Sequence, residues 1–130
     1  MRTFNLIEFM SKDTGNWGEE LAAEHLKSSG LDILELNWKS GHLEVDIIAG
    51  DNGILVFVEV KTRRWDGALQ AGYSMTENQI DHLARAAFGY MIQNHYEGEV
   101  RFDLIAIDYQ DRVNYRIEHL KDAFFPGSFL

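Results

Sequence analysis

The stretch that most constrains the fold is LVFVEVKT, at residues 55–62. Its apolar residues are mostly β-branched or aromatic and follow one another without a break, which predicts a strand buried on both faces. Glu59 and Lys61 nevertheless enter this strand two positions apart. A buried charged side chain is costly unless it is paired or bound to a metal. The strand therefore ends either in an ion pair or in a functional site.

The rest of the chain predicts one mixed α/β domain over residues 1–130, with the order α-β-β-β-α-β-β. Helices are expected at about 14–29, where Gly30 follows as a helix-ending residue, and at about 76–94. Strands are expected at 31–38, 43–49, 54–61, 100–108 and 113–120. Residues 1–9 carry no turn or helix signal, so a flexible extension is expected there.

Composition excludes several classes of protein and site. The chain has no cysteine, which rules out a disulfide framework and a thiolate metal site. No apolar stretch approaches the roughly 20 residues of a membrane span, and the N-terminal segment is too short and polar for a signal peptide. A cytoplasmic location without membrane contact is therefore expected. The formal net charge of −9 argues against indiscriminate binding to a polyanion.

Two neighbouring strands bring acidic residues together. The turn signal GDNG at 50–53 joins the strand that carries Glu44 and Asp46 to the strand that carries Glu59. If the two glycines of this turn pair, Glu44 lies opposite Glu59 and Asp46 is its diagonal neighbour. A register that differs by two residues makes Asp46 and Glu59 direct neighbours on the same face. In either register three carboxylates converge on one patch of the sheet.

This patch has the chemistry of a magnesium site. Lys61 alone does not neutralise three carboxylates, whereas a divalent cation would. Mg²⁺ takes oxygen ligands, usually one or two protein carboxylates completed by water and substrate oxygens, and Asp46 and Glu59 are the candidates. Lys61 would then orient a water or stabilise charge on a phosphoryl group. Metal-assisted hydrolysis of a phosphodiester is the predicted chemistry, and an ion-pair patch without a ligand is the alternative.

The pattern D-(x₁₂)-E-x-K on a hairpin resembles the PD-(D/E)XK superfamily of restriction-endonuclease-like nucleases. More closely, residues 12–122 resemble the small bacterial YraN-type family of endonuclease-like proteins, which is related to archaeal Holliday-junction resolvases. The matching segments are GNWGEELAAEHLKSSGLDILELNWK, EVDIIA, LVFVEVKTR and VRFDLIAI.

The resemblance implies a restriction-endonuclease-like fold, with a mixed central sheet flanked by helices, and a metal-dependent DNA endonuclease. It makes Asp46 and Glu59 ligands of Mg²⁺ or Mn²⁺, and Lys61 the catalytic lysine. It also makes Glu19 a residue that reaches the metal site. The alternative for Glu19 is an acidic residue in the first turn of a helix, where the helix dipole favours it.

The expected partner is DNA, branched or single-stranded, bound weakly. Arg63 and Arg64 are candidate phosphate contacts, and Trp65 is the tryptophan considered for stacking on a base. Gln79 stands where relatives carry a basic residue, which weakens DNA contact from the second helix. A non-catalytic nucleic-acid or protein-binding module that retains the fold is the alternative function. The C-terminal segment AFFPGSFL is expected to cover the core, and the alternative is that an exposed Phe129–Leu130 provides a homodimer contact.

Overall fold

Two helices and five strands make up the residues that the computed structural model describes, 17–65 and 74–124. In chain order they are α1 (Trp17–Ser28), β1 (Asp32–Ser40), β2 (Leu43–Asp51), β3 (Ile54–Arg64), α2 (Glu77–Gln93), β4 (Val100–Tyr109) and β5 (Tyr115–Leu120). The predicted order α-β-β-β-α-β-β is confirmed. The expected helix start at 14, the extension at 1–9 and the dimer contact at 129–130 lie outside the described residues.

All five strands belong to one mixed sheet, in the order β1-β2-β3-β4-β5. Neighbouring strands are antiparallel except β3 and β4, which run parallel from the pair Leu55–Val100 to the pair Arg64–Tyr109. A parallel pair needs a crossover connection, and α2 provides it. Within the described part of the chain, neither helix is long and apolar enough to cross a bilayer.

The two helices cover opposite faces of this sheet, because alternate residues of the buried strands belong to different cores. The core under α1 includes Ala22, Leu26, Ile47, Val58 and Ile105. The core under α2 includes Ile48, Phe57, Leu83, Ala87 and Phe102. The apolar start of β3 is thus buried on both faces, as the uninterrupted run at 55–58 predicts.

Local signals set the ends of both helices. After α1, the Leu31 N–H donates to the Leu26 carbonyl at 3.0 Å and the Gly30 N–H to the Lys27 carbonyl at 3.1 Å, with Gly30 at φ +93°. These two bonds form a Schellman motif, whose left-handed position favours glycine. Before α2, the Gln79 N–H donates to Thr76 Oγ1 at 3.1 Å.

Gln79 has a structural role that the sequence analysis did not foresee. Its Oε1 accepts the Thr76 N–H at 2.9 Å, which completes a capping box at the start of α2. A capping box satisfies two backbone groups that a helix start otherwise leaves without partners. This position of the helix therefore stabilises α2 even though it carries no basic side chain.

The turn between β2 and β3 selects the second of the two registers considered above. The pairing of Gly50 with Gly53 is wrong, because Asp51 pairs with Ile54 across a two-residue loop. The loop residues Asn52 and Gly53 have φ of +51° and +85°. A tight hairpin of this kind needs two left-handed residues, and Asn-Gly adopts that conformation most readily. Asp46 and Glu59 consequently become direct neighbours in the register of the sheet.

A buried carboxylate joins β4 to β5. Asp103 is fully buried and accepts hydrogen bonds from Arg101 Nε and Nη2, each at 2.8 Å, and from the Asp122 N–H at 3.0 Å. The His119 ring lies within hydrogen-bonding distance, with Nε2 2.7 Å from Oδ2. Burial alone would raise the pKa of Asp103, but the contacts with His119, Arg101 and Asp122 lower it to about 2.

Candidate active site

The site forms where β2 and β3 separate. The backbone pairing between these strands runs from Asp51–Ile54 to Ile47–Val58. At the next position the Asp46 side chain takes the place of a backbone acceptor, and its Oδ2 accepts the Val60 N–H at 2.9 Å. The sheet backbone thereby holds the Asp46 carboxyl between the two strands and next to Glu59.

Glu59 and Lys61 form the ion pair that their spacing on β3 suggests. Lys61 Nζ lies 3.7 Å from Glu59 Oε1, and the two side chains are 28% and 25% exposed. This distance is long for a hydrogen-bonded pair, and the Lys61 ammonium compensates only part of the nearby negative charge. The Lys61 ammonium therefore lies beside the Glu59 carboxyl without fixing its orientation.

Glu19 reaches the same carboxylates from the first turn of α1. Its carboxyl lies against the Asp46 carboxyl, so that a protonated Glu19 donates to Asp46. Its Oε2 is buried and has no hydrogen-bond partner within residues 17–65 and 74–124. Asn37 has the opposite effect on Glu19, because its hydrogen bond favours the charged carboxylate and so lowers the pKa. Asn37 has φ +50° inside β1, a conformation that asparagine tolerates better than most residues.

Crowding of carboxyls has a direct electrostatic consequence. Burial, reinforced by the charge of Asp46, raises the pKa of Glu59 to about 7, although Lys61 opposes the shift. Burial also raises the pKa of Glu19 to about 7, again reinforced by Asp46. The pKa of Asp46 is raised by burial too, against the hydrogen bond from Val60. Neighbouring acids whose pKa values are raised in this way are a feature common at functional sites.

An open cleft of about 240 Å³ gives access to Asp46 and Glu59, whereas Glu19 does not line it. One wall is acidic and the other comes from the start of α2; together they comprise Glu44, Asp46, Glu59, Asn78, Gln79, His82 and Leu83. The sequence analysis missed Asn78 and His82. Helical periodicity offers a signal for them, since Asn78 and His82 are four residues apart on α2 and lie next to Gln79 and Leu83, which are also four residues apart.

The donor set suits a hard divalent cation. All candidate ligands are carboxylate oxygens, and one of them, Glu19 Oε2, is a buried oxygen without a hydrogen-bond partner in the described part of the chain. Within residues 17–65 and 74–124, no three His, Asp or Glu side chains are grouped closely enough to hold one ion among them. Mg²⁺ commonly uses only one or two protein carboxylates, and two are available in Asp46 and Glu59.

Arg63 and Arg64 lie farther along β3 than the carboxyl cluster. Arg63 Nε donates to Asp108 Oδ1 at 3.1 Å, and Asp108 stands directly opposite it on β4. Arg64 is exposed at the last residue of the strand. Arg63 is therefore oriented by an ion pair within the sheet, and the structure brings neither arginine into the acidic cleft.

Gly18 lets α1 approach β3 closely enough to deliver Glu19. A Cβ atom at position 18 would overlap Thr62 Oγ1 and lie 3.1 Å from Thr62 Cβ, which is tighter than ordinary packing. Gly18→Ala is expected to lower the free energy of unfolding by about 1–3 kcal/mol, the usual cost of overpacking. Thermal melts of Gly18→Ala and of Gly18→Ala combined with Thr62→Ala measure this, since the second change removes the overlapping Oγ1 and should restore part of the loss.

Gly89→Ala is the matched control for this experiment. A Cβ at Gly89, also inside a helix, would meet its nearest neighbour, Trp38 Cη2, at an ordinary 3.9 Å. Alanine favours a helix over glycine, so this change is expected to stabilise the protein by about 0.5–1 kcal/mol. If Gly18→Ala melts at or above the wild-type temperature, α1 does not depend on this close contact.

Comparisons with known proteins place the chain in a family. A family model described as "Uncharacterised protein family UPF0102" matches residues 18–107, a range that includes all four residues proposed for catalysis. A UPF0102 protein of Flavobacterium psychrophilum is 42% identical over 113 residues, which cover 87% of this chain and 94% of the relative. A UPF0102 protein of Bacteroides thetaiotaomicron is 38% identical over 117 residues, covering 90% and 96%. The chain therefore belongs to the UPF0102 family, the YraN-type family that its motifs resemble.

Proposed function

We propose that this protein is a divalent-metal-dependent nuclease that hydrolyses phosphodiester bonds in DNA. The observation that carries the proposal is the convergence of Glu19, Asp46 and Glu59 at one site, with Lys61 beside Glu59. Carboxylates crowded in this way are unfavourable in a purely structural role. Their arrangement is explained if a cation and a phosphate group complete it.

Asp46 and Glu59 would hold Mg²⁺ or Mn²⁺. The buried Oε2 of Glu19, which α1 brings close to Asp46, is an argument for this assignment because it has no hydrogen-bond partner among the described residues. The bound ion would supply positive charge close to the phosphoryl oxygens. The Val60 N–H keeps Asp46 in place, and a ligand that the backbone orients needs no rearrangement when substrate arrives.

Hydrolysis forms a bond between a water oxygen and phosphorus and breaks the bond from phosphorus to the departing sugar oxygen. The attacking water gives up a proton to the solvent, and the departing oxygen takes up a proton. Lys61 would orient the water and stabilise the negative charge on the phosphoryl group, because its ammonium is only loosely paired with Glu59. The amide and imidazole groups of Asn78 and His82 lie across the cleft, where they would contact the nucleotide.

The same proposal includes a restriction-endonuclease-like fold of the PD-(D/E)XK superfamily. It is supported by a mixed five-stranded sheet with a helix on each face and by the position of Asp46, Glu59 and Lys61 on adjacent strands. The chain order, with one helix before the hairpin and one in the crossover from β3 to β4, is consistent with it.

A non-catalytic DNA-binding module that keeps this fold is the second candidate. The observation that favours it is that no three acidic or histidine side chains of the described residues are grouped closely enough for one ion. Incubation of linear, flapped and four-way-junction DNA with and without Mn²⁺ separates the two functions. A nuclease yields metal-dependent cleavage of branched or single-stranded DNA, whereas a binding module only shifts the mobility of intact DNA.

The proposed metal site also predicts how stability depends on pH. Glu59 keeps its proton up to a pKa of about 7 in the folded protein, against 4.5 in an unfolded chain. The folded state thus binds more protons between these values, so the free energy of unfolding falls as the pH rises from 4.5 to 7. Glu59→Gln should therefore match the wild type near the lower pH and be more stable, by about 1–3 kcal/mol, at about pH 8 in a metal-free buffer.

Divalent cations should reduce this difference. An ion that binds only the folded wild type at ten times its Kd adds about 1.4 kcal/mol of stability. Thermal melts with and without Mg²⁺ or Mn²⁺ should show this gain in the wild type and not in Glu59→Gln or Asp46→Asn. An equal metal response in Asp46→Asn would mean that the carboxyl cluster does not bind the ion, and the ion-pair interpretation would replace it.

A further inference from the structure

A second cavity, of about 270 Å³, lies at the end of β3 and the turn between β4 and β5. It is lined by Trp65, Gln110, Asn114, Tyr115 and Arg116. Two of these are aromatic side chains exposed to a degree unusual for their size, with Trp65 at 38% and Tyr115 at 40%. Exposed aromatic groups beside hydrogen-bonding amides and a guanidinium make a surface suited to a planar, polar ring.

The aromatic and basic groups of this cavity are already organised. The Arg116 guanidinium carbon lies 5.9 Å from the centre of the Trp65 ring, a cation–π distance. Asp108 orients Arg116 through a contact of 3.4 Å and Arg63 through one of 3.1 Å. A single, nearly buried carboxylate thus holds two arginines on one face of the sheet. Arg63 is the more closely held of the two, since its side chain is 33% exposed, whereas the Arg116 side chain is 77% exposed and accessible to a ligand.

The charge of this region is opposite to that of the chain. Residues 61–65 and 108–116 carry five basic side chains, Lys61, Arg63, Arg64, Arg112 and Arg116, against Asp108 and Asp111, in a protein of formal net charge −9. The three basic residues that follow Glu59 in the sequence thus form only part of the positive surface. Arg112 and Arg116, at the turn between β4 and β5, supply the other basic side chains. The pairing of β3 with β4 and of β4 with β5 brings this turn next to the end of β3.

The cavity lies toward the same face of β3 as the proposed active site. Strand alternation places Glu59, Lys61, Arg63 and Trp65 on one face of β3, and the pairing of Arg63 with Asp108 and of Asp108 with Arg116 agrees with that assignment. Six residues of strand separate Glu59 from Trp65, or roughly 20 Å. The face therefore presents carboxylate, ammonium, guanidinium and indole at the spacing of every second residue.

From this order we infer that the Trp65 cavity is a base-stacking subsite for single-stranded DNA whose backbone follows β3 toward the carboxyl cluster. The inference rests on the proposed nuclease function for the direction of the strand. In the subsite an unpaired base stacks on Trp65, with Arg116 and the amides of Gln110 and Asn114 around it. A duplex cannot supply this contact, because its bases are stacked on one another and only the backbone is accessible to Trp65.

Binding of a short oligothymidylate, measured by fluorescence anisotropy in metal-free buffer, tests the inference. Trp65→Ala should weaken binding about 5- to 150-fold, the range that base–aromatic stacking supplies per base, and Trp65→Phe should retain most of the affinity. Val113→Ala is the matched control, since Val113 lies in the same turn, is 84% exposed and does not line the cavity. It should bind as the wild type does.

An abasic oligonucleotide of the same length separates stacking from charge. It should bind wild type and Trp65→Ala equally, because it offers phosphates and no bases. Arg116→Gln should weaken binding of both oligonucleotides and make the plot of log K against log[salt] shallower by about 0.7, the contribution of one phosphate contact on a single strand. Quenching of tryptophan emission by oligothymidylate should disappear in Trp65→Phe although binding persists.

Several outcomes would overturn the inference. They are wild-type affinity in Trp65→Ala, an equal loss for the abasic oligonucleotide, or a duplex that binds as tightly as the single strand. If Trp65→Ala has a lowered melting temperature, Trp65→Phe and Arg116→Gln decide the matter. Because no cleavage is measured, failure of the subsite and failure of the nuclease are distinguishable.

Discussion

Glu59→Gln is expected to lower metal-dependent DNA cleavage by at least about 1000-fold. The change keeps the shape of the side chain but removes the charge that would hold the ion, and loss of an ion from a phosphoryl-transfer site costs several kcal/mol of transition-state stabilisation. Asp46→Asn should have a similar effect, because it removes the second proposed ligand. Initial rates on flapped or single-stranded DNA, with Mn²⁺ in excess, provide the measurement.

Glu118→Gln is the control, as Glu118 is an exposed strand glutamate on β5 and does not line the cleft. Lys61→Ala should also reduce the rate strongly, yet its melting temperature should still respond to Mg²⁺ or Mn²⁺, because the lysine is not a ligand. Cleavage that persists in Glu59→Gln at the wild-type rate would show either a contaminating nuclease or a different active site. Purification of the inactive variants in parallel with the wild type distinguishes these two cases.

The largest expected effect on stability comes from a carboxylate outside the active site. Asp103→Ala should lower the free energy of unfolding by about 3–5 kcal/mol, because it leaves Arg101 as a charged group without its principal partner inside the sheet. Among the described residues, the acidic partner that the guanidinium retains is Asp51, whose Oδ2 lies 3.0 Å from Arg101 Nη1. Thermal or denaturant unfolding of the purified variant provides the measurement, and a fall of about 10–20 °C in melting temperature is expected.

Asp81→Asn is the matched control for the loss of an ion pair. Asp81 contacts Arg85 at 2.9 Å, but their side chains are 48% and 73% exposed. An exposed pair of this kind contributes at most about 1 kcal/mol, so this variant should melt close to the wild type. If both variants lose the same small amount of stability, Asp103 does not have the structural importance that its burial suggests.

The pH dependence of Asp103 should be opposite to that of Glu59. The pKa of Asp103 is about 2 in the folded protein, below the 3.8 of an unfolded chain. Its stabilising contribution is present above 3.8 and is lost as the pH falls toward 2. The two carboxyls differ because Asp103 has three partners, Arg101, His119 and the Asp122 N–H, whereas burial and the nearby charge of Asp46 outweigh the single partner of Glu59, Lys61. Of the two, Glu59 is the carboxyl at which the proposed cation would bind.

The element order and the ends of the helices follow from short-range signals in the sequence. The uninterrupted apolar run at 55–58 requires burial on both faces, and Gly30 ends α1 through a local backbone conformation. Glu59 and Lys61 belong to one strand face because alternation is a property of the strand itself. Asp46 could be assigned to the neighbouring strand because the GDNG turn at 50–53 is also a local signal.

The register and the convergence of the site were decided by tertiary structure. Periodicity allowed two registers, and the left-handed conformations of Asn52 and Gly53 selected one of them. No sequence pattern indicates that the Asp46 side chain replaces a backbone acceptor for Val60. These contacts depend on where two strands separate, which is a balance between twist and pairing along the whole hairpin.

By itself, therefore, the sequence determined which residues carry charge on buried elements, because the hydrophobic pattern and the turn signals are local. Tertiary structure decided which of those charges meet. Glu19 approaches Asp46 only because Gly18 lets α1 pack closely on Thr62. Arg116 stands over Trp65 only because β5 pairs with β4 and β4 with β3, which brings together residues about fifty positions apart. Such distant pairs depend on the closure of long loops, for which neither periodicity nor spacing carries a signal.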